Sequence, residues 1–149
     1  MNKNLFHKEY LCMIEGTLKQ KYGIIDLPIA RKPGSIIERC VNITGQPSKT
    51  IYEIIKVLPY PSSKYQSLNN IQTLSFVKCK LETGRTHQIR VHFSNLGHPI
   101  LGDTLYGNPS PLISRQALHS YMVSFIHPIT KAELCFTCPL PDDMKKLLI

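Results

Sequence analysis

The stretch Gly84-Arg85-Thr86-His87-Gln88-Ile89-Arg90-Val91-His92-Phe93-Ser94-Asn95-Leu96-Gly97 carries most of what the sequence says about fold and site. Ile89, Phe93 and Leu96 stand at i, i+4 and i+7, the spacing of one apolar helix stripe. Gly97 follows where a helix C-terminus takes a left-handed glycine. The pattern predicts a short helix that buries one side. On another face lie Thr86 and Arg90, four residues apart, with His87 adjacent, so the open side is polar and cationic. Taken alone, such a face binds phosphate, pairs with an acid, or is simply solvated.

Working outward, Tyr10-Leu11-Cys12-Met13-Ile14 is a short β-type run closed by Gly16. Residues 19–35 carry Gly23, Pro28, Pro33 and Gly34 among Lys19, Lys21, Arg31 and Lys32, which reads as a basic loop rather than a packed element. Gly45-Gln46-Pro47-Ser48 marks a turn. From Lys49 to Leu58 the chain alternates, Ile51, Ile55 and Val57 against Tyr52, Ile54 and Leu58, as in a strand covered on both faces and ended by Pro59 and Pro61. Tyr65 to Asn70 is polar, and a second strand is predicted over about Gln72 to Leu81. Its apolar set moves from Leu74 and Phe76 to Val77, Cys79 and Leu81, a change of parity that implies a bulge or burial on both faces. His119 to His127 and Ala132 to Cys138, parted by a turn at Pro128, predict an antiparallel hairpin. Asp142-Asp143 ahead of Lys145-Lys146 have the charge order of a terminal helix. Strands with a few short helices make the fold class α+β.

A chain of 149 residues supports one domain. A formal net charge of +8 favours polyanionic partners, nucleic acid foremost, with a merely soluble basic surface as the alternative. No apolar run is long enough for a membrane helix, and Met1 to Lys8 lack the core of a signal peptide, so the chain reads as intracellular and cytoplasmic. Five cysteines at irregular spacing read as reduced thiols rather than a disulfide framework. Cys135 and Cys138 have the spacing of a zinc or redox pair, but a strand turns their side chains to opposite faces and no second pair follows. His87 and His92, five apart, diverge by about 140° on a helix, so no metal site is expected. Gly-x-Gly-x-x-Gly, a Walker lysine and a Gly-x-Ser-x-Gly elbow are all missing. Of the four aspartates, Asp142 and Asp143 read as helix-start charges and Asp26 lies in the basic loop. Asp103, after a turn, reads as a structural acceptor or a site residue.

Gly84 to His92, continued through Gly97-His98-Pro99-Ile100-Leu101-Gly102-Asp103 and Tyr106-Gly107, closely resembles the most characteristic motif of the RluA-type RNA pseudouridine synthases. Tyr10 to Gly16 is similar to that family's tyrosine-bearing strand, Ile25 to Ile29 with Arg31 to its basic loop, and Lys49 to Glu53 to a further strand. Arg115 to His119, His127-Pro128 and Pro139-Leu140-Pro141 resemble its closing part, so nearly the whole chain is covered. The resemblance implies a mixed, mainly antiparallel sheet with short helices around a cleft. It further implies RNA as partner, no cofactor, and isomerisation of uridine to pseudouridine in ribosomal or transfer RNA.

By position, the resemblance makes Arg90 the guanidinium that pairs with the catalytic aspartate, keeping that carboxylate ionised and oriented. It makes Tyr10 the active-site tyrosine, whose ring stacks on the flipped uracil. Arg31, Lys32, Arg85 and His87 become RNA contacts. The family's aspartate lies in an Arg-Leu-Asp segment followed by Thr-Ser-Gly, upstream of the tyrosine strand, and these 149 residues contain no such segment. The chain therefore looks like an N-terminally truncated, single partial catalytic domain over residues 1–149. Two expectations follow: a synthase once the aspartate is supplied, or an inactive remnant that binds RNA without turnover. A missing part that contributed strands would leave an apolar edge, so self-association or a partner chain supplying that part is expected.

Overall fold

The alternating runs around Tyr10, Lys49 and Gln72 become the three long strands at the heart of one sheet. The computed structural model describes residues 6–61 and 70–149; the polar positions 65–69 fall outside them. The strands are β1 (Phe6–Glu15), β2 (Tyr22–Asp26), β3 (Ile29–Arg31), β4 (Arg39–Val41), β5 (Lys49–Pro59), β6 (Thr73–Leu81), β7 (Leu118–Ile126) and β8 (Glu133–Thr137). The helices are α1 (Gln88–Asn95) and α2 (Asp142–Lys145), the latter running into a 3-10 turn at Lys146–Leu148. Six strands pair in the order β2-β5-β6-β1-β7-β8, with β3 and β4 as a separate ribbon, and every ladder is antiparallel.

Register sets what each face carries. Tyr52, Cys79 and Tyr10 stand side by side across β5, β6 and β1, and Ile54, Val77 and Cys12 form the next row. Helix α1 lies over these rows, with the fully buried Phe93 ring meeting Tyr52 edge-on at 6.0 Å. At the other end, Leu58 pairs with Leu74, and the C-terminal Leu147 packs against the same core. The strand pair β7–β8 and the terminal helix form as predicted.

Four expectations are corrected. Residues 19–35 are not a loop throughout: β2 pairs with β5 and β3 with β4, burying Ile25 and Ile29. Only one residue of β2 is buried, too short an alternation to register as a strand. Strand β5 is not covered on both faces along its length, since Ile55 and Val57 are exposed. Its register slips between Ile54 and Lys56, so a bulge lies here, while β6 buries Leu74, Ser75, Phe76 and Val77 on both faces, one of the two outcomes its change of parity allowed. Helix α1 starts at Gln88 rather than Thr86, because His87 takes a left-handed conformation, φ +57, just before it. Leu96 drops out of the buried stripe and is exposed, while Val91 and His92 are buried, because α1 packs against β4 as well as the sheet. Gly97 caps the helix at φ +82, as predicted.

Phe6, Phe125 and Phe136 stack across β1, β7 and β8 with ring centroids 5.6 and 6.1 Å apart, and Phe6 and Phe136 are exposed. Among the described residues, no helix is long and apolar enough to cross a membrane.

Candidate functional site

A cavity of about 360 Å³ opens between the start of α1 and strand β1. Tyr10, Arg85, His87 and Arg90 line it, with Leu81, Ile89 and Leu118 as apolar wall. Tyr10 lies at a break in the β1–β7 ladder, where Glu9 pairs with Met122 but Tyr10 with Ser120, leaving Tyr121 unpaired. A bulge of this kind re-aims the side chains beside it.

Gln88 holds the turn that presents Arg85 and His87. Its Oε1 accepts from the Thr83 hydroxyl at 2.7 Å and the Arg85 N–H at 3.0 Å, and its Nε2 donates to the Lys49 carbonyl and to Thr50 Oγ1. His92, fully buried one turn on, contacts Thr50 Oγ1 through Nδ1 and the Leu27 carbonyl through Nε2, both at 2.9 Å. Burial pushes the His92 ring below the usual histidine range, against the opposing pull of the Leu27 carbonyl and the Asp26 charge. Sequence reasoning passed over Gln88 and weighed His92 only as a metal ligand. Thr50 at a buried strand position, opposite a helix bearing Gln and His, is the signal that could have found them.

Arg90 does not stand free. Its Nε and Nη2 bind both oxygens of Asp103 at 2.7 and 2.8 Å, and the Asp103 side chain is fully buried. Asp103 also accepts the N–H groups of Leu105 and Tyr106. Burial raises its pKa, but the hydrogen bonds from Arg90 and Tyr106 and the Arg90 charge outweigh that, holding the carboxyl below its ordinary value. Asp103 is thus the acceptor that holds Arg90 and the turn at 105–106. Residues 99–103 reach Arg90 because the loop is threaded into the sheet: Leu101 N–H donates to the Met13 carbonyl, Met13 N–H to Ala117, and Ala117 N–H to Leu101. The Arg90 Nη1 has no partner among the described residues and stays available to a second acceptor.

Two expected contacts lie elsewhere. Arg31 lines a neighbouring groove of about 440 Å³ with Arg39 and Thr86, which Arg85 joins to the first cavity. Lys32 is outside both, ion-paired to Glu38 at 2.9 Å. Asp143 is more than a helix-start charge, being bound through both oxygens by Arg115 at 2.8 and 2.9 Å. Cys135 and Cys138 are exposed, and among the described residues no three His, Cys, Asp or Glu gather as metal ligands.

Comparison with known proteins places the chain in a family. The sequence model of RNA pseudouridylate synthase matches residues 1–95. The uncharacterized RNA pseudouridine synthase YjbO of Bacillus subtilis is 46% identical over 97% of this chain and 46% of its own length. The ribosomal large subunit pseudouridine synthase D of Nitrosomonas europaea is 37% identical over 95% of this chain and 40% of its own. The chain thus spans under half the length of these curated relatives. Among solved structures, human RNA pseudouridylate synthase domain containing 1 superimposes with a TM-score of 0.73 at 27% identity, over 93% of this chain and 57% of that one. Matched by the family model over most of its length and by relatives over nearly all of it, the chain belongs to the RluA-type RNA pseudouridine synthase family.

Proposed function

We propose that this chain supplies the tyrosine and arginine side of a site that isomerises uridine in RNA, with the catalytic aspartate coming from an Arg-Leu-Asp segment that these 149 residues lack. The observation that carries this is convergence: Tyr10 from β1 and Arg85, His87 and Arg90 from the α1 region meet in one cavity. An aromatic ring beside cationic donors fits a flipped pyrimidine and its phosphates. Tyr10 stacks on the base, Arg85 meets the backbone, and Arg31 extends the contact along the adjoining groove. Arg90, already held by Asp103, offers its remaining Nη1 to the incoming aspartate, which keeps that carboxylate ionised for attack. Lys32, whose charge Glu38 balances, is left out of the contact.

Relatives named for ribosomal RNA support ribosomal RNA as substrate and the cytoplasm as location. The Phe6–Phe125–Phe136 stack, exposed at Phe6 and Phe136, supports association with a second chain, which would cover it. Residues 1–149 act in this reading as one partial catalytic domain. Binding of a uridine-containing single-stranded RNA, followed by fluorescence anisotropy at several salt concentrations, tests it. Affinity falls linearly in log–log form with salt, and Tyr10→Ala weakens it roughly five- to a hundredfold, the loss of one stacked base. Salt-independent binding, or binding indifferent to Tyr10→Ala, overturns the reading.

A further inference from the structure

His87 sits in a backbone region that few side chains adopt, at φ +57, where the chain turns into α1. Its ring is fixed by Tyr106: Nδ1 lies 2.7 Å from the Tyr106 hydroxyl oxygen, the two rings edge-on at 5.4 Å between centroids. That oxygen already accepts the Arg39 backbone N–H at 2.9 Å. An amide N–H can only donate, and a phenol has one hydrogen to give. Donation to His87 Nδ1 is the pairing that gives the Tyr106 hydrogen a partner, with Nδ1 as the bare, accepting nitrogen. In that pairing the hydrogen of the neutral ring is on Nε2, which has no partner among the described residues and belongs to a side chain lining the cavity.

We propose that Tyr106 is a positioning residue that fixes His87 as the Nε2–H tautomer, so that a neutral histidine donor meets an acceptor oxygen of bound RNA. The inference rests on the RNA reading of the cavity. The surroundings agree with it: the charged groups facing His87 are the Arg90 and Arg39 guanidiniums and the Asp103 carboxylate. Burial, then Arg90, then Arg39 hold the ring below the usual histidine range, and Asp103 opposes them. The Arg90 guanidinium lies 5.0 Å from the centre of the Tyr106 ring, so one tyrosine braces both cavity side chains. A neutral donor adds direction without adding charge, and suits either a uracil carbonyl or a phosphate or ribose oxygen.

Long-range proton–nitrogen NMR of the histidine-labelled 149-residue chain reads the tautomer directly. In the native sequence His87 is expected only as Nε2–H at pH 7. Tyr106→Phe keeps the ring under Arg90 but removes the hydroxyl; Nδ1–H becomes detectable and the His87 titration midpoint rises, with the backbone amide spectrum showing that the fold is kept. An Nδ1–H ring in the native chain, or a midpoint unmoved in the variant, overturns the assignment. Titration with a uridine trinucleotide and with its abasic counterpart then finds the acceptor: a shift at His87 Nε2 with both identifies the backbone, with the first alone the base. RNA-induced shifts at Tyr10 and Arg85 with His87 silent overturn the donor role alone, whereas no response at any cavity residue overturns the RNA reading and this role with it. His87→Gln, which can still present an amide donor, is expected to keep RNA affinity within about threefold, and His87→Ala to lose about five- to tenfold.

Discussion

Removing the Asp103 carboxylate tests how the site is held. In Asp103→Ala the Arg90 guanidinium loses two hydrogen bonds of 2.7 and 2.8 Å, and the N–H groups of Leu105 and Tyr106 lose their acceptor. Breaking a buried ion pair by deleting one partner costs about 3–5 kcal/mol. The lower end applies because the Arg90 side chain keeps 14% of its exposure and water can reach it. A loss of about 3 kcal/mol corresponds to a fall of roughly 6–12 °C in melting temperature for a chain of this size. Urea unfolding is the assay, with an unchanged m value showing that compactness is unaltered. Asp103→Asn keeps one carbonyl acceptor and is expected to lose less than the alanine variant. The sign of the pH dependence follows from linkage: a carboxyl held below its unfolded value stabilises the fold above about pH 4, and that contribution disappears as pH falls through the depressed value. The native chain and Asp103→Asn therefore converge in stability under acid. A loss below about 1 kcal/mol in Asp103→Ala at neutral pH would refute this account of the pair.

Arg90→Ala orphans the buried Asp103, so it is expected to destabilise the fold by an amount similar to Asp103→Ala, and the double variant by less than the sum; a thermodynamic cycle from urea titrations measures this coupling. For His92, the ring is held below its unfolded value by burial, so its contribution is complete above about pH 6.5 and is lost as pH drops; unfolding at pH 7.5 and 5.5 should show a steeper loss in the native chain than in His92→Gln. Gly102 stands at φ +76, and an added Cβ would run into the Arg115 carbonyl oxygen, so Gly102→Ala should lower the stability read from urea unfolding by at least about 1–2 kcal/mol, the left-handed penalty alone. Phe136→Ser should lower any self-association seen by sedimentation, since it removes one end of the exposed aromatic stack.

Much of the sheet was legible because its strands are long and their apolar residues alternate against turns rich in proline and glycine. The β7–β8 hairpin and the Gly97 cap were visible for the same local reasons. What local pattern does not carry is tertiary cover. Strand β2 is held by its pairing with β5 and by Gly23, whose Cα lies so close to Tyr52 that an added Cβ would be 2.5 Å from its hydroxyl. Ile55 looked like a core residue by alternation, but it stands on the face opposite Tyr52 and Ile54, which is left without cover there. At the site, the resemblance pointed to Tyr10, Arg85, His87 and Arg90, and the fold brings these four together. The Asp103–Arg90 pair, the Gln88 hub and the Tyr106–His87 contact were invisible, because each joins residues distant in sequence through side-chain hydrogen bonds that no periodicity encodes. Lys32 was grouped with Arg31 as its neighbour in sequence, yet adjacent residues of an extended chain point apart, and Glu38 claims it.

The most direct test mixes this chain with a polypeptide bearing the family's Arg-Leu-Asp and Thr-Ser-Gly segment and follows tritium release from RNA labelled at uridine C5, the atom whose hydrogen leaves when the base is rejoined through carbon. The expected result is RNA binding but no release by the chain alone, release by the mixture, and loss of that release in the mixture with Tyr10→Ala. Folded, RNA-binding components that together release no tritium, or release that persists with Tyr10→Ala, would contradict the claim that this chain provides half of a uridine-isomerising site.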